Sequence, residues 1–188
     1  MNRWLHLGCG DHKLPPPWEN FDREVDLREK LPFQSGVAEY IFAEHVIEHL
    51  PFKDGLYFLT ECHRLLNSKG ILRFSFPDMT KIGIEVLPLY ANHLKKHTGK
   101  AIHRIEEVWL SMATDWGHRS VWTAGVARRL ALAVGFAEVI TIPSYGQSPH
   151  KNLNRIDGRH LSEGLELARA ETTIIEAVKF HPLLDSTE

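Results

Sequence analysis

Trp4-Leu5-His6-Leu7-Gly8-Cys9-Gly10 is the stretch on which the reading of this chain turns. A short apolar run meets two glycines one residue apart, the pattern of a strand entering a tight turn. Glycines there let the backbone adopt left-handed conformations and approach a ligand closely. A dinucleotide-binding turn would add a third glycine near position 13 and an immediate helix to hold the pyrophosphate. Position 13 is lysine, and Pro15-Pro16-Pro17 forbid a helix directly afterwards. A nicotinamide or flavin site is therefore disfavoured. Taken alone, the Gly-x-Gly turn fits a plain turn as well as a ligand loop.

Strand and helix signals alternate outward from this point. Asn20-Phe21-Asp22 and Glu24-Val25-Asp26-Leu27 read as short extended segments, and residues 37–43 as a buried strand. Asp54 is placed to cap a helix through Leu66, with Leu56, Leu59, Cys62, His63 and Leu66 at helical spacing and Gly70 closing it. Residues 71–76 alternate as a strand ending at Pro77-Asp78, and helices are expected around 80–97 and 102–113. Thr123 caps a helix through Ala133 that Gly135 closes; residues 137–142 and Glu171–Phe180 read as strands. Strands separated by helices predict an α/β sheet with its early strands parallel. Two final strands without a helix between them add an antiparallel edge.

Composition bounds the function. The 188 residues suit one domain, and 43% hydrophobic content lets a chain of this size bury about 70% of its unfolded surface. Twenty-two Lys+Arg against 24 Asp+Glu leave a net charge of −2, which argues against a nucleic-acid partner. Two cysteines, Cys9 and Cys62, make neither a disulfide framework nor a four-thiolate zinc site. The N-terminal residues lack a signal-peptide apolar region, and no run approaches the roughly 18 apolar residues of a membrane span. A soluble cytoplasmic protein with no membrane partner is the expectation.

Two groups of residues carry chemistry. Asp22, at the end of the second short strand, is placed to accept both hydroxyl protons of a ribose; Asp26 would meet another part of a nucleoside. Exposed turn carboxylates would look the same. The second group is Tyr40-Ile41-Phe42-Ala43-Glu44-His45-Val46-Ile47-Glu48-His49-Leu50-Pro51, an apolar strand delivering acids and histidines at its carboxyl end, where open α/β sheets place ligands. His45, Glu48 and His49 also match the H-x-x-E-H pattern of inverted zinc proteases. That pattern wants a long helix and a third ligand, yet Pro51 ends the segment and no downstream residue announces itself. Lys95, Lys96, His97, Lys100, His103 and Arg104 read as a solvated helix face. Trp109, Trp116 and Trp122 suit a core or a substrate cavity, and His118-Arg119 a covering segment.

Taken in order, these residues resemble class I S-adenosylmethionine-dependent methyltransferases, in particular a small bacterial group of predicted methyltransferases. The resemblance rests on Leu5–Gly10, Asn20-Phe21-Asp22, Asp26-Leu27-Arg28 with Leu31-Pro32-Phe33, and Glu44–Leu50. It continues through Glu61-x-x-Arg64-Leu65-Leu66, Gly70-x-Leu72-Arg73, Pro77-Asp78 and Gly135-Phe136, and is closer over residues 4–79 than over 117–180. It implies a single domain over residues 1–188 with a Rossmann-like, mostly parallel sheet and an antiparallel C-terminal strand. S-adenosylmethionine is the implied cofactor, S-adenosylhomocysteine the product, and a small molecule the acceptor. Leu7 and the Gly8-Cys9-Gly10 turn would pass the cofactor's amino-acid moiety. Asp22 would bind the ribose, Asp26 and Leu27 would flank the adenine, and Ala43 with Glu44 would face the methionine portion. His49 is the expected base and His45 the second choice, with no metal required. Residues 79–120, with 144–165, would supply the acceptor pocket or a lid.

The chain departs from that pattern in three places. His6 stands where many relatives carry an acid, Gly10 to Asn20 is too short for the usual first helix, and Asp22 to Asp26 leaves no room for the next. The core is thus expected to be trimmed. Two other readings stay open: a zinc hydrolase on His45, Glu48 and His49, and a cofactor-binding module without catalysis.

Overall fold

The structure is a computed structural model that describes residues 2–158 and 164–179. Its strands are β1 (Arg3–Leu7), β2 (Trp18–Phe21), β3 (Ala38–Glu44), β4 (Leu66–Pro77), β5 (Glu138–Thr141) and β6 (Thr172–Val178). Its α-helices are α1 (Phe52–Leu65), α2 (Leu87–Thr98), α3 (Ile105–Thr114), α4 (Ala124–Val134) and α5 (Leu165–Glu171). The strands form one sheet in the order β2-β1-β3-β4-β6-β5. The first four are parallel, and β6 runs antiparallel to both β4 and β5. The α/β class and the reversed last strand are as the sequence predicts, although β6 lies between β4 and β5 and not at the edge. No helix among the described residues is long and apolar enough to cross a membrane.

Several local expectations need correction. Residues 24–27 are turns, not a strand. Helix α1 begins at Phe52 behind Pro51, so Asp54 lies in its first turn and is not its cap. It ends at Leu65, and Gly70 sits inside β4, where the pairing with β3 shifts register. A Cβ on Gly70 would lie 2.9 Å from Leu66 Cβ and 3.1 Å from the Ala38 carbonyl, so the glycine serves that irregularity instead of a helix end. The expected helix from 80 is two single turns, Met79–Lys81 and Ile84–Val86, with Gly83 between them; Pro88 opens α2. Helix α5 separates β5 from β6, which the sequence reading did not anticipate. Phe180, the expected end of the last strand, lies outside the described residues.

Helix α4 forms where predicted, with Thr123 Oγ1 accepting from Val126 N (3.3 Å) and Gly135 at φ +118°. Buried Asp78 joins this cap from the end of β4: it accepts from Ala124 N and Thr173 Oγ1 (2.9 Å each) and from Thr80 N and Oγ1. The proline-rich segment between β1 and β2 has no helix and is closed by Asn20. The Asn20 side chain donates to and accepts from the Leu14 backbone at 2.9 Å, and its Oδ1 meets His6 Nδ1.

The two faces of the sheet differ. On one, Leu5, Leu7, Ile41, Ala43, Leu72, Phe74, Ile175 and Ala177 pack against α1 and α4 in an apolar core. Trp122 is fully buried there, so close to α1 that only glycine fits at position 55 (Cβ to Trp122 Cζ2, 2.7 Å). On the other face lie His6, Phe42, Glu44, Arg73, Ser75 and Glu176, all buried, beneath a segment that carries Tyr145, Leu153, Ile156 and Asp157. Arg73 forms ion pairs with Asp157 and Glu176 at 0–1% side-chain exposure. Helices α2 and α3 make a separate small core with Ile82 and Leu167. Trp109 and Trp116 are partly exposed, and the Lys95-Lys96-His97 turn is solvated as expected.

Candidate active site

Three strands end at one place: β1 at Gly8, β2 at Asp22 and β3 at His45. There a cleft of about 400 Å³ opens, lined by Gly8, Asp22, Arg23, Val25, Asp26, Leu27, Arg28, His45, Val46, His49 and Leu50. Six residues expected at the site are therefore together: Gly8, Asp22, Asp26, Leu27, His45 and His49. Gly8 and Gly10 adopt φ +67° and +51°, so the glycines are used for left-handed backbone. A Cβ at Gly8 would lie 2.6 Å from Val46 Cγ2, which ties the turn to β3. Asp22 is oriented by the Gly10 N–H (3.3 Å). Asp26 is held by Arg28, whose guanidinium brings its carboxyl down to about 2, so it is ionised in any ordinary buffer.

The remaining expected residues are not on this cleft's wall. Leu7 and Ala43 point into the apolar core, and Cys9 is buried with its thiol at the Gly10 carbonyl. Glu44 projects from the opposite face of the sheet. It meets His12 Nδ1 (2.9 Å) and accepts from the Gly158 N–H (2.9 Å) and the Tyr145 hydroxyl (3.2 Å). The reason is strand alternation: Glu44 shares a face with Phe42 and Arg73, not with Ile41 and Ala43.

The two histidines part company after β3. His45 takes φ +51°, uncommon for a residue with a side chain, and its Nδ1 and Nε2 meet Glu48 Oε1 (3.2 Å) and Thr172 Oγ1 (3.0 Å). His49 ends a single turn, Ile47–His49, and is exposed on one side; burial of the rest of the ring lowers its pKa, more than the Glu48 charge raises it. The long helix of an H-x-x-E-H zinc site is absent from this segment. His118 instead approaches His49, with ring centroids 5.0 Å apart. Its segment is tied down: Arg119 N and Ser120 N donate to the Glu48 carbonyl (2.8 and 3.1 Å), and Ser120 Oγ to the Leu50 carbonyl (2.7 Å). Residues 118–120, read from the sequence as a covering segment, are thus fastened to the turn after β3. The ligand atoms of Glu48, His49 and His118 all lie within 4.8 Å of one another. The sequence reading missed His118 as their companion, and its one hint was an H-x-x-E-H motif short of a third ligand.

Residues 23–74 match the model of a methyltransferase-domain family. Among solved structures, the chain is similar to a SAM-dependent methyltransferase from Archaeoglobus fulgidus, at 14% identity and TM-score 0.54, covering 95% of this chain and 86% of that one. It is also similar to the CurJ carbon methyltransferase, at 15% identity and TM-score 0.53, covering 96% and 49%. A third is the Haemonchus contortus phosphoethanolamine N-methyltransferase 2 solved with phosphomonomethylethanolamine and S-adenosylhomocysteine, at 11% identity and TM-score 0.54, covering 96% and 49%. The chain thus spans about half the length of the last two. No curated protein matches it by sequence. The family match covers residues 23–74, and over nearly its whole length the chain shares the fold of these methyltransferase structures.

Proposed function

We propose that the chain binds S-adenosylmethionine in the cleft beside Gly8 and transfers its sulfonium methyl to a small acceptor, releasing S-adenosylhomocysteine. The observation that carries this reading is the convergence of Gly8, Asp22, Asp26 and Leu27 on one cleft at the carboxyl ends of three parallel strands. That is the place where open α/β sheets hold nucleotides. Its volume is within the range of small-molecule pockets.

Asp22, oriented by Gly10, takes the two ribose hydroxyls. Gly8 lets the backbone pass close to the amino-acid moiety, and Asp26 with Leu27 borders the adenine. Leu7, Cys9 and Ala43, with their side chains buried, contribute only backbone there. Glu44 holds the segment carrying Tyr145 and Gly158 in place of a direct role. The methyl group is already electrophilic, so the protein's task is to align the nucleophile in line with the carbon–sulfur bond and exclude water. His49 stands on the acceptor side of the cleft and meets the nucleophile; His45, with both ring nitrogens engaged, positions the turn between β3 and His49.

Isothermal titration of the folded protein with S-adenosylmethionine and S-adenosylhomocysteine tests the reading. Saturable binding of both, weakened in Asp22→Ala, is expected. No binding up to millimolar concentration overturns it.

A further inference from the structure

We propose that Glu48, His49 and His118 form a binding site for one divalent cation of the zinc type on the acceptor side of the cleft. Three features of the structure converge on it.

The first is geometry. A four-coordinate ion with nitrogen and oxygen ligands at about 2.1 Å holds those ligands about 3.4 Å apart. The candidate atoms, one from each residue, already lie within 4.8 Å of one another, so a shortening of at most about 1.4 Å brings them to that spacing. The second is the state of the imidazoles. His49 Nδ1 meets the Gly117 carbonyl (3.4 Å), and His118 Nδ1 meets the Met112 carbonyl. A carbonyl only accepts, so in both rings Nδ1 carries the proton and Nε2 keeps its lone pair for a ligand. A ring N–H given to a backbone carbonyl is the usual outer support of a metal-bound histidine. The third is charge. The Glu48 carboxylate is buried, and a cation beside it offsets the cost of that burial. The three groups are held in register by the backbone bonds that fasten residues 119–120 to Glu48.

Two imidazoles and one carboxylate favour zinc or another first-row ion over magnesium or calcium, which prefer oxygen throughout. Three protein ligands leave a position open. If the methyl-transfer reading holds, on which this role alone rests, that position receives the acceptor's hydroxyl. The ion lowers the hydroxyl's proton affinity and its proton leaves to solvent. The oxygen pair then forms the bond to the methyl carbon as the carbon–sulfur pair returns to sulfur. His49 is then a metal ligand, replacing the unaided base that the sequence suggests.

The test titrates Zn2+ into chelator-treated, dialysed protein by calorimetry, alongside S-adenosylhomocysteine on the same preparation. One Zn2+ per chain at micromolar affinity or tighter is expected. Since loss of an outer-shell partner costs 10–100-fold, loss of a ligand in His49→Ala or His118→Ala should weaken binding by at least about 100-fold. His97→Ala, which alters a histidine on α2, should leave it unchanged. His49 is exposed, so its variant folds even if His118→Ala does not. Visible absorption of bound Co2+ in the wild type, lost in His49→Ala, gives a second readout. Unchanged Zn2+ affinity in folded His49→Ala, or no micromolar Zn2+ binding by protein that binds S-adenosylhomocysteine, overturns the site. Zinc binding through the triad without S-adenosylhomocysteine binding would uphold the site and sink the methyl-transfer reading.

Discussion

The two faces of the sheet use the same strands to different ends. Toward α1 and α4 the side chains are apolar throughout, and packing holds the layers together. Toward the segment around Tyr145–Asp157 they include His6, Glu44, Arg73 and Glu176, equally buried but held by ion pairs and hydrogen bonds. On that side no helix lies between β1 and β2, as the prolines predict, and a stretch with a single short turn, Lys151–Leu153, supplies part of the cover. A stretch with so little helix cannot satisfy its own backbone groups or present a wide apolar stripe, so buried charges fasten it. A polar residue in a strand of this protein is thus no sign of solvent or of catalysis. Arg73 and Glu44 are structural fastenings, whereas the cleft residues follow the strands, in the turns beyond them.

The largest effect should come from unfastening the polar face. Arg73→Ala leaves Asp157 and Glu176 buried without their cation and should cost about 3–5 kcal/mol in chemical denaturation. Replacing Arg73, Asp157 and Glu176 together by apolar residues of similar size should recover most of that loss. A cost for Arg73→Ala under about 1 kcal/mol would erase the contrast between the faces. At the cleft, Gly8→Val forces a side chain into a left-handed backbone and against Val46; cofactor affinity measured by calorimetry should fall by at least about 100-fold. Asp22→Ala should cost about 2–4 kcal/mol of cofactor affinity, and an unchanged dissociation constant would place the ribose elsewhere.

His49→Ala should keep cofactor affinity within about threefold while lowering turnover about 100-fold, once a substrate screen supplies an acceptor. Equal losses of binding and stability would mark it as a packing residue. The smallest effect concerns pH on the helical face. Burial lowers the pKa of His63, which packs on Phe136 with Nε2 at the Gly135 carbonyl. Its folded pKa is below its unfolded value near 6.5, so the neutral ring's contribution is complete above that pH and declines as pH falls below it. The urea midpoint should drop less between pH 7.5 and 5.5 in His63→Gln than in the parent. Identical drops would show that the ring is solvated in the folded state.

Patterns local in the chain determined much of this. The β1 strand with its Gly8–Gly10 turn, the buried β3, and α4 between Thr123 and Gly135 were legible because each rests on periodicity or on a cap within a few residues. The same holds for the early parallel strands, and for the positions at the cleft of Asp22, directly after β2, and His49, one short turn beyond β3. Tertiary structure decided the rest. Gly70 looked like a helix end and became part of an irregular strand; Arg73 stood in an alternating strand with nothing to announce its partners and is fully buried. Glu44 and Val46 are two positions apart yet serve opposite faces, because His45 turns the backbone into a left-handed conformation between them. His118 meets His49 only because the segment after α3 pairs with the turn after β3. Such contacts join residues far apart in the chain, and their energy depends on what is packed against them, which no local pattern encodes.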